Sequence, residues 1–153
     1  MRVMKTAIFP GSFDPFTKGH HDIVIRSLEL FDKVIVAIGH NAQKNKRYFE
    51  IDWMVNKIEE TYKGEDRVSV IVYDELTAEL AKKLDASFLV RGLRNTTDFE
   101  YENTISQVNK SINTKLETVF LITAPELAQI SSSIIREVHR YDGDVTSFLP
   151  YTI

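Results

Sequence analysis

Five short apolar runs, rich in β-branched residues, constrain the fold of this 153-residue chain more than any other feature. Most of them are continuously apolar rather than alternating, which is typical of strands that are covered on both faces. A segment with helical periodicity follows each run, so strand and helix alternate five times. This order predicts an α/β, doubly wound fold, in which a five-stranded parallel sheet carries helices on both faces. The predicted strands are 6–10, 33–39, 67–73, 86–92 and 117–123.

The segments between these runs have the spacing of amphipathic helices. In 51–63, Met54, Ile58 and Tyr62 recur at intervals of four and fall on one face. In Rossmann-like sheets of this kind, ligands bind beyond the carboxyl ends of the strands, near the point where the strand order reverses. We therefore expect functional residues directly after the strands. The other helical segments are 20–31, 75–84, 98–112 and 130–141.

The overall composition excludes several classes of protein. The chain has no cysteine, and therefore no disulfide and no thiolate chemistry. No apolar run approaches the roughly 20 residues of a membrane span, and the apolar stretch in residues 1–11 is too short for a signal peptide. We therefore expect a cytoplasmic protein with no membrane partner. The net charge of −3, mixed in sign along the chain, argues against nucleic-acid binding. Because linkers and repeats are missing, residues 1–153 are predicted to form one domain.

The stretch 9–22, FPGSFDPFTKGHHD, joins the first strand to the first helix. A turn rich in glycine and proline is usually only structural, and this one matches neither the G-x-G-x-x-G fingerprint nor the P-loop. Ser12, however, follows Gly11 where the strand opens towards a ligand, and His20 falls in the first helical turn. Free N–H groups and the helix dipole favour an anion there. His20 is thus either a solvated residue at a helix start or a hydrogen-bond donor to phosphate.

Two arginines lie at the end of the fourth predicted strand, in the segment LVRGLR. Arg91 and Arg94 lie on either side of Gly92, at the edge of the sheet where ligands bind. A guanidinium group matches phosphate oxygens with two parallel hydrogen bonds. The alternative is that these arginines form surface ion pairs with Glu100 or Glu102, which contribute little energy.

A third segment, ISSSIIREV, places three serines before an apolar helical run. One of them is predicted to cap the helix, and the remaining hydroxyls with the free N–H groups would form an oxyanion cradle. The loop after the second strand carries three cations and is ordinarily a solvated loop. His21, His40 and His139 have no metal-ligand spacing, so no protein-bound metal is predicted.

The segment Thr17-Lys18-Gly19-His20 resembles the (Thr/His)-x-Gly-His motif of the nucleotidyltransferase superfamily. Threonine in first place, together with RGLR…DFEYE over 91–102, is similar to one branch, the phosphopantetheine adenylyltransferases. The resemblance extends from residue 6 to residue 150. It implies transfer of the adenylyl group of ATP to 4′-phosphopantetheine, giving 3′-dephospho-coenzyme A and pyrophosphate with Mg²⁺, in coenzyme A biosynthesis. It also implies a homohexamer and feedback inhibition by coenzyme A.

The same resemblance implies roles for individual residues. His20, Lys44 and Arg94 are the expected catalytic residues, and Lys46 is an alternative to Lys44 because the loop is one residue longer than common forms. The residues expected to bind ATP are Ser12, Phe13, His20, Gly92, Arg94, Glu102, Ser131, Ser132 and Ser133. The residues expected to bind 4′-phosphopantetheine are Ser12, Lys44, Leu76, Thr77, Arg91 and Asn109.

Two other functions remain as alternatives at this point. A related transferase, such as a cytidylyltransferase for glycerol phosphate or an adenylyltransferase for nicotinamide mononucleotide, has the same general motif, but RGLR…DFEYE argues against it. A non-catalytic nucleotide-binding module would bind ATP without releasing pyrophosphate, and the presence of Ser12, His20 and both arginines argues against that function. The chain departs from the family at Met54, where an arginine is frequent.

Overall fold

A parallel five-stranded sheet forms the centre of the molecule, in the computed structural model, which describes residues 2–41, 43 and 46–153. The strands are β1 (Thr6–Gly11), β2 (Lys33–Gly39), β3 (Val68–Tyr73), β4 (Phe88–Leu93) and β5 (Glu117–Ile122). Their order in the sheet is β3-β2-β1-β4-β5, and every pairing is parallel. This confirms the predicted doubly wound α/β architecture.

Helices cover both faces of the sheet, as predicted from the continuously apolar strands. The helices are α1 (Lys18–Ser27), α2 (Ile51–Thr61), α3 (Thr77–Lys83), α4 (Thr96–Ile112) and α5 (Ser132–Arg140), with short 3₁₀ turns at Pro125–Leu127 and Thr146–Phe148. One apolar cluster joins α1, α2 and α5 to the sheet through residues such as Ile23, Met54 and Ile135. A second cluster on the opposite face includes Leu80 of α3 and, at its margin, Ile112 of α4. None of the helices in the described ranges is long and apolar enough to cross a membrane.

The strand order reverses between β1 and β4, and these two strands separate towards their carboxyl ends. They pair at Ala7–Phe88 and Ile8–Leu89, whereas β1 and β2 pair all the way from Thr6 to Gly11. The reversal point of a doubly wound sheet is where a crevice opens beyond the strands. The site is therefore expected between the ends of β1 and β4.

Several boundaries differ from the sequence-based prediction by a few residues, and two of these differences have clear local reasons. β4 begins at Phe88 rather than at residue 86, because Asp85 adopts a positive φ of 51° and the Ala86 N–H donates to the Ala81 carbonyl oxygen. These two residues therefore close helix α3 instead of starting the strand. Helix α1 begins at Lys18, two residues earlier than predicted, because Thr17 caps it.

Candidate active site at the reversal point of the sheet

The Thr-x-Gly-His motif forms the capping box of α1. The side chain of Thr17 accepts a hydrogen bond from the His20 N–H at 3.3 Å, and the Thr17 N–H donates to Nδ1 of His20 at 2.9 Å. The side chains of Thr17 and His20 thus each satisfy a backbone N–H group that would otherwise be unpaired at the start of the helix. Because Nδ1 accepts a hydrogen bond from a backbone N–H, the proton of a neutral His20 ring lies on Nε2.

Three phenylalanine rings surround the His20 imidazole. The ring centroids of Phe13, Phe16 and Phe9 lie 4.9, 5.4 and 6.0 Å from that of His20. Burial, and then the positive charges of Arg91 and Arg94, lower the pKa of His20 from 6.5 to about 3. His20 is therefore neutral near pH 7 and keeps one N–H donor, at Nε2, that the capping box does not use.

This environment predicts a loss of stability in mild acid. The unfolded chain protonates His20 below its ordinary pKa of 6.5, whereas the folded protein does so only near pH 3, so the free energy of unfolding falls as the pH drops from about 6.5 towards 3. We expect His20→Asn to have a smaller decrease than the natural chain between pH 7.5 and pH 5, as measured by urea unfolding. An identical decrease in both proteins would contradict the assigned environment of His20.

Arg91 bridges the gap where β1 and β4 separate. Its Nε and Nη2 donate to the two carboxylate oxygens of Glu102 at 2.9 and 2.6 Å, and Nη1 donates to the carbonyl oxygen of Pro10. The side chain of Glu102 is only 10% exposed. The ion pair that the sequence offered as an alternative is thus present, but it is a fork within the site rather than a surface pair. It fixes the guanidinium at the mouth of the crevice.

Arg94 makes fewer side-chain hydrogen bonds than Arg91, and its partner is Asp98. Its backbone N–H and its Nε both donate to Oδ2 of Asp98, at 3.0 and 3.2 Å. The two Nη groups stay available for an anion, since no acceptor for them occurs in the described ranges. Gly92, between the two arginines, allows α1 to approach β4, because a Cβ there would lie 3.1 Å from the Ile23 side chain.

The three serines of the ISSS segment have separate hydrogen bonds. Ser131 is the N-cap of α5, where its hydroxyl accepts from the Ile134 N–H at 3.2 Å, which confirms that one serine caps the helix. The Ser132 hydroxyl donates to the carbonyl oxygen of Pro15 at 2.7 Å and ties α5 to the 9–22 stretch. Ser133 accepts from Arg136 at 3.3 Å. The Ile134 N–H is thus capped, whereas the backbone N–H groups at the very start of α5 have no acceptor within the helix and suit an anion.

These groups line one cavity of about 310 Å³, which we call the central cleft. All the residues expected to bind ATP line it. In the described part of the chain, two carboxylates line the cleft, those of Asp98 and Glu102, and each accepts hydrogen bonds from an arginine. No group of three His, Asp or Glu side chains that could hold a metal ion occurs among the described residues. The predicted ATP residues in the cleft are Ser12, Phe13, His20, Gly92, Arg94, Glu102, Ser131, Ser132 and Ser133.

A second cavity of about 180 Å³ lies beside the first and is called the α4 cavity. Thr77 and Asn109, expected to line the pantetheine arm, lie in its wall, and Arg91 and Glu102 border both cavities. Leu76 is not part of this wall; it precedes α3 and is 62% exposed. Sequence reasoning missed several lining residues, although Tyr101 and Ile105 share one face of α4 with Asn109 at four-residue spacing. The lining residues that were not predicted as site residues are Pro10, Gly11, Tyr73, Leu89, Tyr101, Ile105, Ser106 and Thr118.

A third cavity of about 450 Å³ meets the central cleft at Ser12 and is called the basic cavity. Lys46, Arg47, Arg136 and Arg140 line it together with Asp14 and Tyr48. Lys46, the alternative catalytic lysine, therefore shares a cavity with Ser12. Lys44 lies outside the described residues, so its predicted role stays a prediction.

Comparison with known proteins agrees with this architecture. A family model described as Cytidylyltransferase-like matches residues 8–138. The curated phosphopantetheine adenylyltransferase of Cytophaga hutchinsonii is 68% identical over 97% of this chain and 99% of its own length. The chain belongs to the phosphopantetheine adenylyltransferase family. The curated family member of Flavobacterium johnsoniae is 51% identical over 96% of this chain and 95% of its own length. The predicted family is thus confirmed.

Solved structures show that the fold extends beyond the phosphopantetheine adenylyltransferases. The crystal structure of a bifunctional NMN adenylyltransferase/ADP ribose pyrophosphatase from Francisella tularensis matches with a TM-score of 0.73 and 17% sequence identity. The match covers 97% of this chain and 45% of that chain, so the present chain corresponds to less than half of the bifunctional protein. At this identity, the likeness concerns the fold alone.

Proposed function

We propose that this protein transfers the adenylyl group of ATP to 4′-phosphopantetheine, giving 3′-dephospho-coenzyme A and pyrophosphate, the reaction for which its curated relatives are named. One observation supports the chemistry of this proposal most directly. The neutral His20 and the guanidinium groups of Arg91 and Arg94 line the same cleft at the reversal point of the sheet. These groups suit phosphate chemistry in which charge develops on one phosphorus centre.

The reaction is an in-line displacement at the α-phosphorus of ATP. An oxygen of the 4′-phosphate forms the new bond, and the bond to the β-phosphate oxygen breaks, so pyrophosphate leaves with that electron pair. The attacking phosphate is already an anion and needs neither a strong general base nor a nucleophilic side chain. The remaining tasks of the protein are to orient the two substrates and to stabilise charge at the transferring group.

The central cleft divides these tasks among its residues. The Nε2–H group of His20 would donate to an α-phosphate oxygen, and the free Nη groups of Arg94 would neutralise charge on the triphosphate. The first turn of α5, with Ser132 and Ser133, would receive the terminal phosphates on backbone N–H groups. Lys44, or alternatively Lys46, would add the loop cation. The expected role of Glu102 at the adenosine stays a prediction, since both of its carboxylate oxygens are held by Arg91.

The α4 cavity supports the assignment of the second substrate. It joins the central cleft at Arg91, which has guanidinium N–H groups left for a phosphate after binding Glu102 and Pro10. Thr77 and Asn109 provide polar groups along its wall, and apolar side chains complete it. This combination suits an arm that carries amides on an aliphatic chain.

Mg²⁺ would be bound chiefly by the phosphate oxygens of ATP. Asp98 and Glu102, the carboxylates of the central cleft in the described ranges, are engaged by Arg94 and Arg91 and offer no free oxygen pair. The ion would supply neutralisation of phosphate charge when it is bound. A cytoplasmic homohexamer with feedback by coenzyme A completes the proposal, and exposed apolar side chains such as Phe99, Val108 and Ile122 suit subunit contacts.

A substrate panel tests the proposed function against its alternatives. Pyrophosphate release is measured with ATP or CTP, each combined with 4′-phosphopantetheine, nicotinamide mononucleotide or glycerol 3-phosphate. We expect release with ATP and 4′-phosphopantetheine to exceed every other combination. Faster release with CTP and glycerol 3-phosphate, or with nicotinamide mononucleotide, would assign a different transferase. ATP binding without any release would indicate a non-catalytic module.

A further inference from the structure

Arg47 has a largely buried, positively charged side chain, and two of its three hydrogen bonds are made to the backbone of the 9–22 stretch. Its Nη1 donates to the Ser12 carbonyl oxygen at 2.6 Å, and Nη2 donates to the Phe13 carbonyl oxygen at 2.8 Å. Nε donates to the carbonyl oxygen of Phe49 at 3.0 Å, so all three nitrogens are engaged. The Arg47 side chain is only 7% exposed. None of the roles proposed above uses this residue.

Asp14 adds a second connection between the 9–22 stretch and residues 47–49. Its carboxylate oxygens accept hydrogen bonds from the N–H groups of Tyr48 and Phe49 at 2.9 and 2.7 Å. Arg47 thus binds backbone carbonyls of the first loop while Asp14 of that loop binds backbone N–H groups beside Arg47. The two charged groups lie 3.9 Å apart. This pair of contacts fixes the position of one loop relative to the other.

The carbonyl oxygens that Arg47 binds lie in the part of the 9–22 stretch that has the fewest other hydrogen bonds from side chains. The Asp14 carbonyl is held by Arg136 and the Pro15 carbonyl by Ser132. For the Ser12 and Phe13 carbonyls, Arg47 is the hydrogen-bond donor that the described part of the chain provides. The loop segment next to β1 therefore depends on the guanidinium fork.

Phe13 connects this anchor to His20. It has a φ of 45°, a conformation that L-residues other than asparagine and aspartate seldom adopt without support. In that conformation its ring turns back over Gly11, where a Cβ would come within 2.9 Å of the ring. The same ring meets the His20 imidazole edge-on at 4.9 Å. Among the three rings around His20, the Phe13 ring lies closest, so its orientation affects how closely His20 is packed.

We propose that Arg47 is a positioning residue for the transfer reaction, which holds Ser12 and Phe13 in place through their carbonyl oxygens and thereby keeps the His20 ring packed and correctly oriented. This inference rests on the proposed function for its kinetic consequence. Its structural consequence, the environment of His20, can be measured in the protein without substrates.

Arg47→Lys is the decisive variant, because it keeps the positive charge and most of the aliphatic stem but loses the planar fork. We expect kcat to fall by about 10- to 100-fold, the size of effect that a small misplacement of reacting groups causes. The affinity for ATP, measured by titration calorimetry, should stay nearly unchanged, because the donors of Arg47 are used within the protein. Arg47→Gln, which lacks both charge and fork, is the second variant and should lose at least as much.

Arg140→Gln is the matched control. It removes a positive charge from the same basic cavity, but Arg140 binds Glu137 at 2.9 Å and lies over the Tyr48 ring rather than on the first loop. Its kcat should stay close to that of the natural chain. A loss in Arg140→Gln as large as that in Arg47→Lys would show that cavity charge, rather than positioning, is responsible and would overturn the proposal.

The titration of His20, followed by NMR of its ring, separates this proposal from the proposed function. In the natural chain, burial holds the pKa of His20 far below its ordinary value. In Arg47→Lys we expect the release of the Phe13 ring to let water reach the imidazole and to raise the pKa towards 6.5. The charged groups around His20, Arg91 and Arg94, are unchanged in the variant. An unchanged titration in both Arg47 variants would overturn the proposal, whether or not the natural chain catalyses adenylyl transfer.

Discussion

His20→Asn should lower kcat by about 10²–10³-fold, which is the usual cost of removing one donor to a charged transition state. The oxygen of asparagine can replace Nδ1 as the acceptor of the Thr17 N–H, so the capping box and the fold are retained. Asparagine lacks a group at the position of Nε2, so the donor that faces the cleft is lost. Steady-state kinetics with ATP and 4′-phosphopantetheine, together with thermal melting, measures both effects.

His21→Asn provides the control from the adjacent position. His21 interacts with the Tyr62 hydroxyl at 2.9 Å and is absent from the described wall of the central cleft. Its kcat should remain near that of the natural chain. A His20→Asn enzyme with full activity would remove His20 from the reaction, and equal losses in the two variants would indicate a general effect on α1.

Arg91→Ala should have two large effects. The affinity for 4′-phosphopantetheine should fall more than the affinity for ATP, because Arg91 borders both cavities and is assigned to the substrate phosphate. The free energy of unfolding should fall by about 3 kcal/mol, since removal of one partner leaves a poorly solvated carboxylate on Glu102 without its counter-ion. Titration calorimetry and urea unfolding measure the two effects separately.

The double variant Arg91→Ala/Glu102→Gln separates binding from stability. A neutral amide at position 102 removes the uncompensated charge, so most of the lost stability should return. The affinity for 4′-phosphopantetheine should not return, because the guanidinium is still missing. Calorimetry showing a greater loss of ATP affinity than of 4′-phosphopantetheine affinity in Arg91→Ala would reverse the assignment of Arg91.

The sequence predicted the sheet and its helices because the underlying pattern is local. Continuous apolar runs such as 33–39 report burial on both faces, and the strand–helix alternation leaves few topologies. The reversal of strand order between β1 and β4 then places Ser12, His20 and Arg91 at one edge. This is why residues separated by many positions along the chain could be assigned to one site.

Other features depend on hydrogen-bond partners that the sequence does not specify. The capping box fixes the tautomer of His20 through the Thr17 backbone, although a Thr-x-x-His spacing at a helix start could have suggested it. The fork between Arg91 and Glu102 was visible only as one of two alternatives. Arg47 is one of the three cations, with Lys44 and Lys46, of a loop that the sequence describes as ordinarily solvated. Its observed contacts require the carbonyl oxygens of a distant loop, which the sequence does not specify.

The most direct test of the central claim is the stereochemistry of transfer at the α-phosphorus. The protein is incubated with 4′-phosphopantetheine and ATP that carries a chiral α-thiophosphate, and the product is analysed for both identity and configuration. Direct attack by the substrate phosphate in the central cleft predicts the thio analogue of 3′-dephospho-coenzyme A with inverted configuration and one pyrophosphate per product. Retention of configuration would reveal a covalent enzyme intermediate and contradict direct attack, and absence of this product would contradict the proposed function itself.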